Sequence, residues 1–209
     1  MRLKNVKGAK EKNESSKYTL LDYKNYKNNF KQIFNNDNPI MIEIGMGKGN
    51  FIIENAIQNP NINYIGIEKY DSVFVRAIEK LEEKELNNLR LIRMDALEID
   101  EVFSKEIDTI YLNFSDPWPK NRHEHRRLTS EVFLKKYDSI FKNTKHIIMK
   151  TDNRKLFEYS IMSLTNYGYK IEKISLDLYN DDISKNIPTE YEIKFHNKGF
   201  PIYMIEVYK

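Results

Sequence analysis

The chain has 209 residues with 34 basic and 31 acidic side chains, so its net charge of +3 does not by itself indicate a nucleic-acid partner. It has no cysteine, which excludes disulfides and thiolate metal sites and is consistent with a reducing compartment. No apolar run approaches the ~20 residues of a membrane-spanning helix, and the basic N-terminus lacks the apolar core of a secretory signal. We therefore expect a single α/β domain over residues 1–209, located in the cytoplasm and without membrane contact.

The first 38 residues are polar and rich in lysine and asparagine, and they predict a basic N-terminal arm and a helical lead-in, with helix expected within 18–34. Beyond Pro39 the pattern becomes regular. Predicted strands cover 40–44, 62–68, 89–94, 109–114, 146–150, 169–177 and 202–208. Predicted helices cover 50–59, 72–85, 128–141 and 155–167, the last ended by Gly168. This alternation predicts a doubly wound, mainly parallel seven-stranded sheet whose last strand runs antiparallel.

A glycine-rich loop, EIGMGKG, closes the first predicted strand. Gly45, Gly47 and Gly49 would let the backbone turn sharply and approach a ligand, and Glu43 precedes the first glycine by two residues. The spacing GxGxG differs from the dinucleotide pattern GxGxxG. A carboxylate beside the loop would repel a pyrophosphate and attract a sulfonium. The loop thus favours S-adenosylmethionine over NAD or FAD, and the structural alternative is a turn that merely requires glycine.

Two further acids follow the next two predicted strands. Glu68 lies about twenty residues beyond the glycine loop, where an acid can accept hydrogen bonds from ribose hydroxyls, or it is a solvated carboxylate at a helix start. Asp95 follows the third strand and could accept from an adenine amino group, or it is a helix cap. Because the carboxyl ends of parallel strands share one edge, we expect these acids to lie near the glycine loop.

The most distinctive segment is YLNFSDPWPKNRHEHRR at 111–127. Two prolines end the strand there, so the chain must turn and present Asp116 and Trp118 at the sheet edge. Trp118 could stack on a base or anchor the turn. The basic residues suit phosphate contacts or a solvated helix face, and the RNA-backbone candidates are Arg122, Arg126 and Arg127. His123 and His125 lack a third ligand, so we expect no metal.

These motifs together resemble the bacterial tRNA (guanine-N7)-methyltransferases. The resemblance rests on EIGMGKG, IGIEKY, NFSDPWPKNRHEHRRL, KTDN and TEYE, and it covers nearly the whole chain, from about Arg2 to the last strand. The glycine loop alone indicates only the wider class I methyltransferases, whereas FSDPWPK followed by basic residues is far more specific. The resemblance implies a Rossmann-like fold, S-adenosyl-L-methionine as the methyl donor, and tRNA as the partner, methylated in its variable loop at tRNA position 46.

The resemblance also assigns individual residues. It implies that Glu43, Glu68, Asp95 and Asp116 line the cofactor site and that Asp116 is the active residue. It implies substrate contacts by Lys120, Asp152, Thr189, Glu190, Tyr191 and Glu192. It places the basic N-terminal arm of the family at 1–5. The residues themselves allow alternatives, because Asp152 could be a helix N-cap and 189–192 a structural loop.

The chemistry of guanine N7 explains why methyl transfer to this atom needs a carboxylate such as Asp116 but no general base. N7 carries an in-plane lone pair and no proton, so the reaction requires positioning more than proton removal. Asp116 is accordingly interpreted as an electrostatic and positioning group. Three other hypotheses remain at this stage: methylation of another nucleic acid or small molecule, an inactive RNA-binding module, and a nicotinamide oxidoreductase. The sequence is compatible with a monomer and with a homodimer.

Overall fold

The computed structural model describes residues 6–181 and 186–209, and the predicted basic arm at 1–5 lies outside them. The described residues form one seven-stranded sheet. Its strands are β1 (Ile40–Ile44), β2 (Asn63–Glu68), β3 (Leu89–Arg93), β4 (Ile107–Asn113), β5 (Phe141–Thr151), β6 (Lys170–Ser175) and β7 (Tyr203–Tyr208). The strand order is β3-β2-β1-β4-β5-β7-β6, and β7 pairs antiparallel with both neighbours. The predicted sheet, including its antiparallel last strand, is confirmed.

The described residues also form eight α-helices, of which two precede β1 and six lie between strands. They are α1 (Ala9–Ser15), α2 (Lys31–Phe34), α3 (Asn50–Gln58), α4 (Asp71–Leu81), α5 (Ile99–Val102), α6 (Glu131–Ile140), α7 (Arg154–Asn166) and α8 (Glu190–His196). Short 3-10 helices span Tyr23–Tyr26, Ala96–Glu98 and Asn121–Arg126. The four long predicted helices correspond to α3, α4, α6 and α7. The sequence did not predict α5 or α8, which are only 4 and 7 residues long.

The sheet is buried on both faces because its central strands are almost continuously apolar. Ile42 and Ile110 have no exposed surface and belong to the larger core cluster, which includes Phe133 of α6. Met41 and Tyr111 point to the opposite face, where α3 and α4 supply a second cluster. A fully buried side chain of this size contributes about 1.5–3 kcal/mol to folding. Two layers of helix therefore hold the sheet edges in fixed positions.

The N-terminal lead-in lies against the domain in a partly different form from the one predicted. The amide of Leu20 donates to the carbonyl of Leu91 at 2.9 Å, and the amide of Leu91 donates to the carbonyl of Tyr18 at 2.8 Å. The start of the segment expected to contain helix is therefore extended and covers the outer edge of β3, with helix only later, in α2. Covering an edge strand satisfies its backbone groups and protects it from unwanted pairing. Nowhere in 6–181 or 186–209 is a helix long and apolar enough to span a bilayer.

The topology creates one natural ligand site. The chain winds from β1 outward to β3 and then returns to place β4 on the other side of β1. At such a switch point the loops after the two central strands diverge and leave a crevice at their carboxyl ends. Here those loops are the glycine loop after β1 and the Asp-Pro-Trp-Pro segment after β4.

Candidate active site

The glycine loop adopts a backbone that requires its glycines. Gly45, Gly47 and Gly49 have φ of 76°, 58° and 76°, in the left-handed region that side chains disfavour. The amide of Gly45 donates to the carbonyl of Ile67 at 2.9 Å, which ties the loop to β2. A Cβ added at Gly45 or Gly47 would meet nothing within 4 Å, whereas at Gly49 it would lie 2.7 Å from the Cβ of Ala77. The first two glycines thus leave open space for a ligand, and the third allows close packing on α4.

Glu68 lies directly beside this loop at the end of β2. One carboxylate oxygen accepts from the amide of Gly47 at 3.2 Å, and the other accepts from the amides of Lys69 at 2.8 Å and Tyr70 at 3.0 Å. Burial raises the pKa of Glu68, and the negative charge of Asp116 adds to that shift. Glu68 at the end of β2 and Asp116 after β4 lie on the same edge of the sheet, on either side of the strand that carries the glycine loop.

Glu43 lies beneath the glycine loop rather than open beside it. Its side chain is 1% exposed and accepts one hydrogen bond from the amide group of Asn113 at 2.9 Å. Burial raises the pKa of Glu43 to about 8, and the Asn113 bond and the charge of Lys150 oppose that shift. In the absence of a ligand, neutral pH therefore favours the protonated form.

Glu43 and Asn113 also carry unused hydrogen-bonding capacity. Neither Oε2 of Glu43 nor Oδ1 of Asn113 has a partner among the described residues. Unsatisfied buried polar atoms are costly, so they commonly mark places where a ligand or water completes the network. The strand ends of β1 and β4 thus present two buried oxygens without partners beside the glycine loop.

Asp95 caps a short helix, which was the structural alternative to a contact with adenine. It precedes the 3-10 helix at Ala96–Glu98, and its carboxylate accepts from the amide of Leu97 at 3.0 Å. It also forms an ion pair with Lys69 at 2.5 Å. Asp95 nevertheless lies at the carboxyl end of β3, on the same edge as Glu68, so its predicted place on the ligand side of the sheet agrees with the structure.

The Asp-Pro-Trp-Pro segment makes a sharp turn after β4. Phe114 has φ of 52° and Trp118 has φ of 40°, and both values are uncommon for bulky residues. Asp116 is exposed between them. Trp118 is half-buried, with the guanidinium of Arg126 lying 4.8 Å from its ring centre and the ring of His123 5.8 Å away. Trp118 thus has the packing expected of an anchor while keeping part of its surface open.

The basic residues after this turn are not equivalent. Lys120, Arg122 and Arg126 are exposed on or beside the 3-10 helix. Arg127 is half-buried, and its guanidinium donates to the carbonyls of Pro117 at 3.2 Å and Trp118 at 3.1 Å. The first three are therefore available for an RNA backbone, whereas Arg127 is engaged within the protein.

Asp152 lies at the carboxyl end of β5, beyond the crevice. The suggested role of Asp152 as a helix N-cap is wrong, because the cap of α7 is Asn153, which accepts from the amide of Leu156 at 2.9 Å. Burial raises the pKa of Asp152. Burial also raises the pKa of Tyr191, and the negative charge of Asp152 adds to that shift. The role of both residues at the substrate stays a prediction.

The TEYE motif begins α8 instead of forming a loop. Thr189 caps the helix, accepting from the amide of Glu192 at 2.9 Å, while Glu192 accepts in return from the amide of Thr189 at 3.3 Å. Glu190 pairs with Lys48 and Lys80. Glu192 is 0% exposed and pairs with Lys150, and its contact with the substrate stays a prediction.

Tyr191 is the member of that motif that faces outward. It is 44% exposed, and its ring stacks on Phe195 at 4.1 Å and approaches Phe114 at 5.2 Å. Because Phe114 lies two residues before Asp116, this contact connects α8 to the Asp-Pro-Trp-Pro turn. Tyr191 therefore forms part of the rim of the crevice.

Lys150 is a site residue that the sequence reasoning missed. It is 4% exposed, and its ammonium donates to Glu192 at 2.6 Å and to Asn186 Oδ1 and the carbonyl of Ile187 at 3.0 Å each. Its charge also acts on Glu43. A lysine inside the apolar run HIIMKT was the available signal, since an unpaired buried lysine is rare. Lys150 connects the floor of the crevice to the segment that precedes α8.

The predicted absence of a metal concerns the two histidines after the turn. Among the described residues, the grouping that could reach a single ion is His146, Glu172 and Glu206 on β5, β6 and β7. His146 is already hydrogen-bonded to Thr109 and Glu206 at 3.0 Å each. This grouping includes neither His123 nor His125.

Comparisons with known proteins identify the family of this chain. A family model described as "Putative methyltransferase" matches residues 37–205. A tRNA (guanine-N(7)-)-methyltransferase of Lachnoclostridium phytofermentans is 48% identical over 211 residues, covering 100% of this chain and 99% of that protein. The protein of the same description from Bacillus cytotoxicus is 50% identical over 208 residues, covering 99% and 96%.

Among solved structures, an antibiotic-related methyltransferase has a TM-score of 0.68 at 18% identity, covering 87% of this chain and 93% of that one. At that identity the likeness concerns the fold, which is the Rossmann-like methyltransferase fold. The two curated relatives carry the family assignment, because their identity is far higher and extends over nearly full length. This chain belongs to the bacterial tRNA (guanine-N(7)-)-methyltransferase family.

Proposed function

We propose that this protein transfers a methyl group from S-adenosyl-L-methionine to N7 of a guanosine in tRNA. The observation that carries the proposal is the position of Asp116, an exposed carboxylate in the same crevice as Glu68 and the glycine loop. The relatives described as tRNA (guanine-N(7)-)-methyltransferases support the identity of the reaction. In this proposal residues 1–209 act as one cytoplasmic methyltransferase domain.

The crevice has the features that the methyl donor requires. Gly45 and Gly47 leave open space above the loop, and Glu43 offers an unpartnered buried oxygen beneath it. Glu68 and Asp95 stand at the ends of β2 and β3, where hydroxyl and amino groups of a nucleoside can be bound. The bound donor supplies an electrophilic methyl group on a cationic sulfur. Acidic side chains on this edge favour a cation over a pyrophosphate.

Asp116 is proposed to act on the guanine and not as a base. Guanine N7 has no proton to lose, and methylation places a positive charge on the purine ring. A carboxylate held beside the ring stabilises that charge as it develops and can orient the base edge. The turn between Phe114 and Trp118 holds Asp116 at the mouth of the crevice, which is where an incoming base would meet it.

The RNA is proposed to lie across the turn and the rim. Lys120, Arg122 and Arg126 are exposed and suit phosphate contacts, which orient an RNA without reading its sequence. Asp152 and Tyr191 suit contacts with the base. The other motif residues, Thr189, Glu190 and Glu192, contribute through the start of α8. By family resemblance the target is the variable-loop guanosine at tRNA position 46.

The test is to incubate the protein with an unmodified tRNA transcript and S-adenosylmethionine labelled in its methyl group, then to digest the RNA to nucleosides. The proposal predicts labelled 7-methylguanosine. A DNA duplex and free guanosine serve as competing substrates, and labelling of either in preference to tRNA would favour a different methyltransferase activity. Label on another base, or no label in RNA, would refute the proposal.

A further inference from the structure

Arg127 holds the turn that carries Asp116 through two backbone contacts. Its Nε donates to the carbonyl of Pro117 at 3.2 Å and its Nη2 donates to the carbonyl of Trp118 at 3.1 Å. One planar guanidinium therefore bridges two consecutive carbonyls through a rigid fork of N–H donors, whereas a lysine ammonium is a single flexible donor point. These carbonyls follow directly after Asp116 in the chain.

A second contact fixes the arginine itself. The guanidinium lies 4.2 Å from the ring centre of Tyr159, which belongs to α7. A cation over an aromatic ring is attracted by its electron-rich face, and the planar group stacks well. Because α7 packs on the sheet, this contact connects the surface turn to a rigid element. Arg127 is thus placed between α7 and the turn.

The turn needs such support because its backbone is unfavourable. Trp118 has φ of 40°, and a bulky residue in that region costs on the order of 1–3 kcal/mol. A conformation of that kind persists only where surrounding contacts hold it. Among the described residues, the contacts to the carbonyls of Pro117 and Trp118 come from Arg127. Without them the turn would relax and Asp116 would move.

We propose that Arg127 is a positioning residue that holds the Asp116–Trp118 turn in its working shape and is not an RNA-backbone contact. The inference rests on the proposed function, since it deepens the role of Asp116 in methyl transfer. It also separates Arg127 from Arg122 and Arg126, which are exposed and contact the neighbouring rings of His123 and Trp118, so solvent-facing donors remain for phosphates.

Trp118 allows a test that does not depend on activity, because it is the only tryptophan in the chain. Its fluorescence therefore reports the turn alone. Arg127→Lys keeps the charge and removes the rigid fork and the planar stacking on Tyr159, so acrylamide should quench Trp118 more strongly than in the wild type. Arg76→Lys is the matched control, since Arg76 pairs with Glu79 on α4. It should leave the quenching unchanged.

Kinetics and salt dependence then distinguish positioning from RNA binding. In Arg127→Lys we expect kcat to fall about ten- to hundred-fold from misplacement of Asp116, with the KM for tRNA within about two-fold. Arg127→Gln should keep the wild-type slope of log affinity for tRNA against log salt. Loss of a phosphate contact would instead reduce that slope by about one.

The proposal is overturned if Arg127→Lys has wild-type quenching and wild-type kcat, or if Arg127→Gln lowers the salt slope by about one. A melting temperature for each variant shows that the fold is intact, and quenching is compared only between folded proteins. If the wild-type protein fails to methylate tRNA, the proposed function is refuted, and the quenching comparison still decides whether Arg127 holds the turn.

Discussion

Replacing Lys150 with methionine should destabilise the protein strongly, because it leaves the carboxylate of Glu192 buried without its cation. In the structure the two groups are 2.6 Å apart, and Glu192 has no exposed surface. Water cannot replace the lysine at such a position. The remaining donors to Glu192 are the side-chain amide of Asn186 at 2.5 Å and the amide of Thr189 at 3.3 Å. Both are neutral and cannot balance a full negative charge.

The magnitude follows from general measurements on buried pairs. Removing one partner of a buried ion pair typically costs about 3–5 kcal/mol, because the other charge remains uncompensated. In Lys150→Met, Asn186 Oδ1 and the carbonyl of Ile187 also lose their donor. For a protein of this size, each kcal/mol lowers the melting temperature by about 2–4 °C, so we expect a decrease on the order of 10 °C.

The assay is a double-mutant cycle followed by denaturant unfolding. The variants are Lys150→Met, Glu192→Gln and the two combined, since glutamine keeps the shape of Glu192 while removing its charge. The double variant should be more stable than Lys150→Met alone, with a coupling free energy of about 2 kcal/mol or more. Lys135→Met is the control, because Lys135 pairs with Glu131 on the surface, where such pairs contribute about 0–1 kcal/mol.

Two results would refute this reasoning. If Lys150→Met and Lys135→Met had the same stability, the buried pair would not carry the expected energy. If the effects of Lys150→Met and Glu192→Gln simply added, the two side chains would not act as a pair.

Three other changes probe the crevice. Asp116→Asn should lower kcat at least about 100-fold while calorimetry with S-adenosylhomocysteine shows nearly unchanged affinity, and an unchanged kcat would refute its role at the guanine. Glu43→Gln should gain stability over the wild type as the pH rises from about 6 to about 9. The pKa of Glu43 is raised to about 8 in the folded protein, so the folded state holds this proton more tightly than the unfolded chain does. The resulting stabilisation of the wild type is complete below the unfolded-state pKa of Glu43 and is lost as the pH rises through about 8. Melting curves that differ by the same amount at both pH values would contradict that. Gly66→Ala should cost about 1–3 kcal/mol in denaturant unfolding, because its Cβ would lie 2.4 Å from Sδ of Met46 and 2.9 Å from Leu91, and wild-type stability would contradict the close packing.

The sheet and its ligand edge could be predicted because their signals are local and periodic. Apolar runs such as IMIEI mark buried strands, and the handedness rule for crossovers leaves few topologies for alternating strands and helices. Once the strand ends are known, Glu43, Glu68 and Asp116 must share one edge. The glycine loop was recognisable for the same reason, since its pattern lies within seven consecutive residues.

The remaining features depend on contacts between distant residues. Arg126 and Arg127 are adjacent and chemically identical, and only the packing of α7 against the turn separates an exposed side chain from one bound to two carbonyls. The short helix α8 is stabilised by Lys150, 42 residues away from Glu192 in the chain. Its local signal is the capping-box pattern TEYE, but isolated helices of that length are unstable in water, so the pattern alone does not establish the helix.

The most direct test of the central claim is methyl transfer to a tRNA transcript in which guanosine is replaced by 7-deazaguanosine. That substitution removes the N7 nucleophile and keeps the base-pairing edge. We predict that the protein binds this transcript with normal affinity and transfers no methyl group to it, while the unsubstituted transcript gains 7-methylguanosine. Methyl transfer to the deaza transcript at a rate equal to that of the normal one would contradict the assignment of N7 as the target atom.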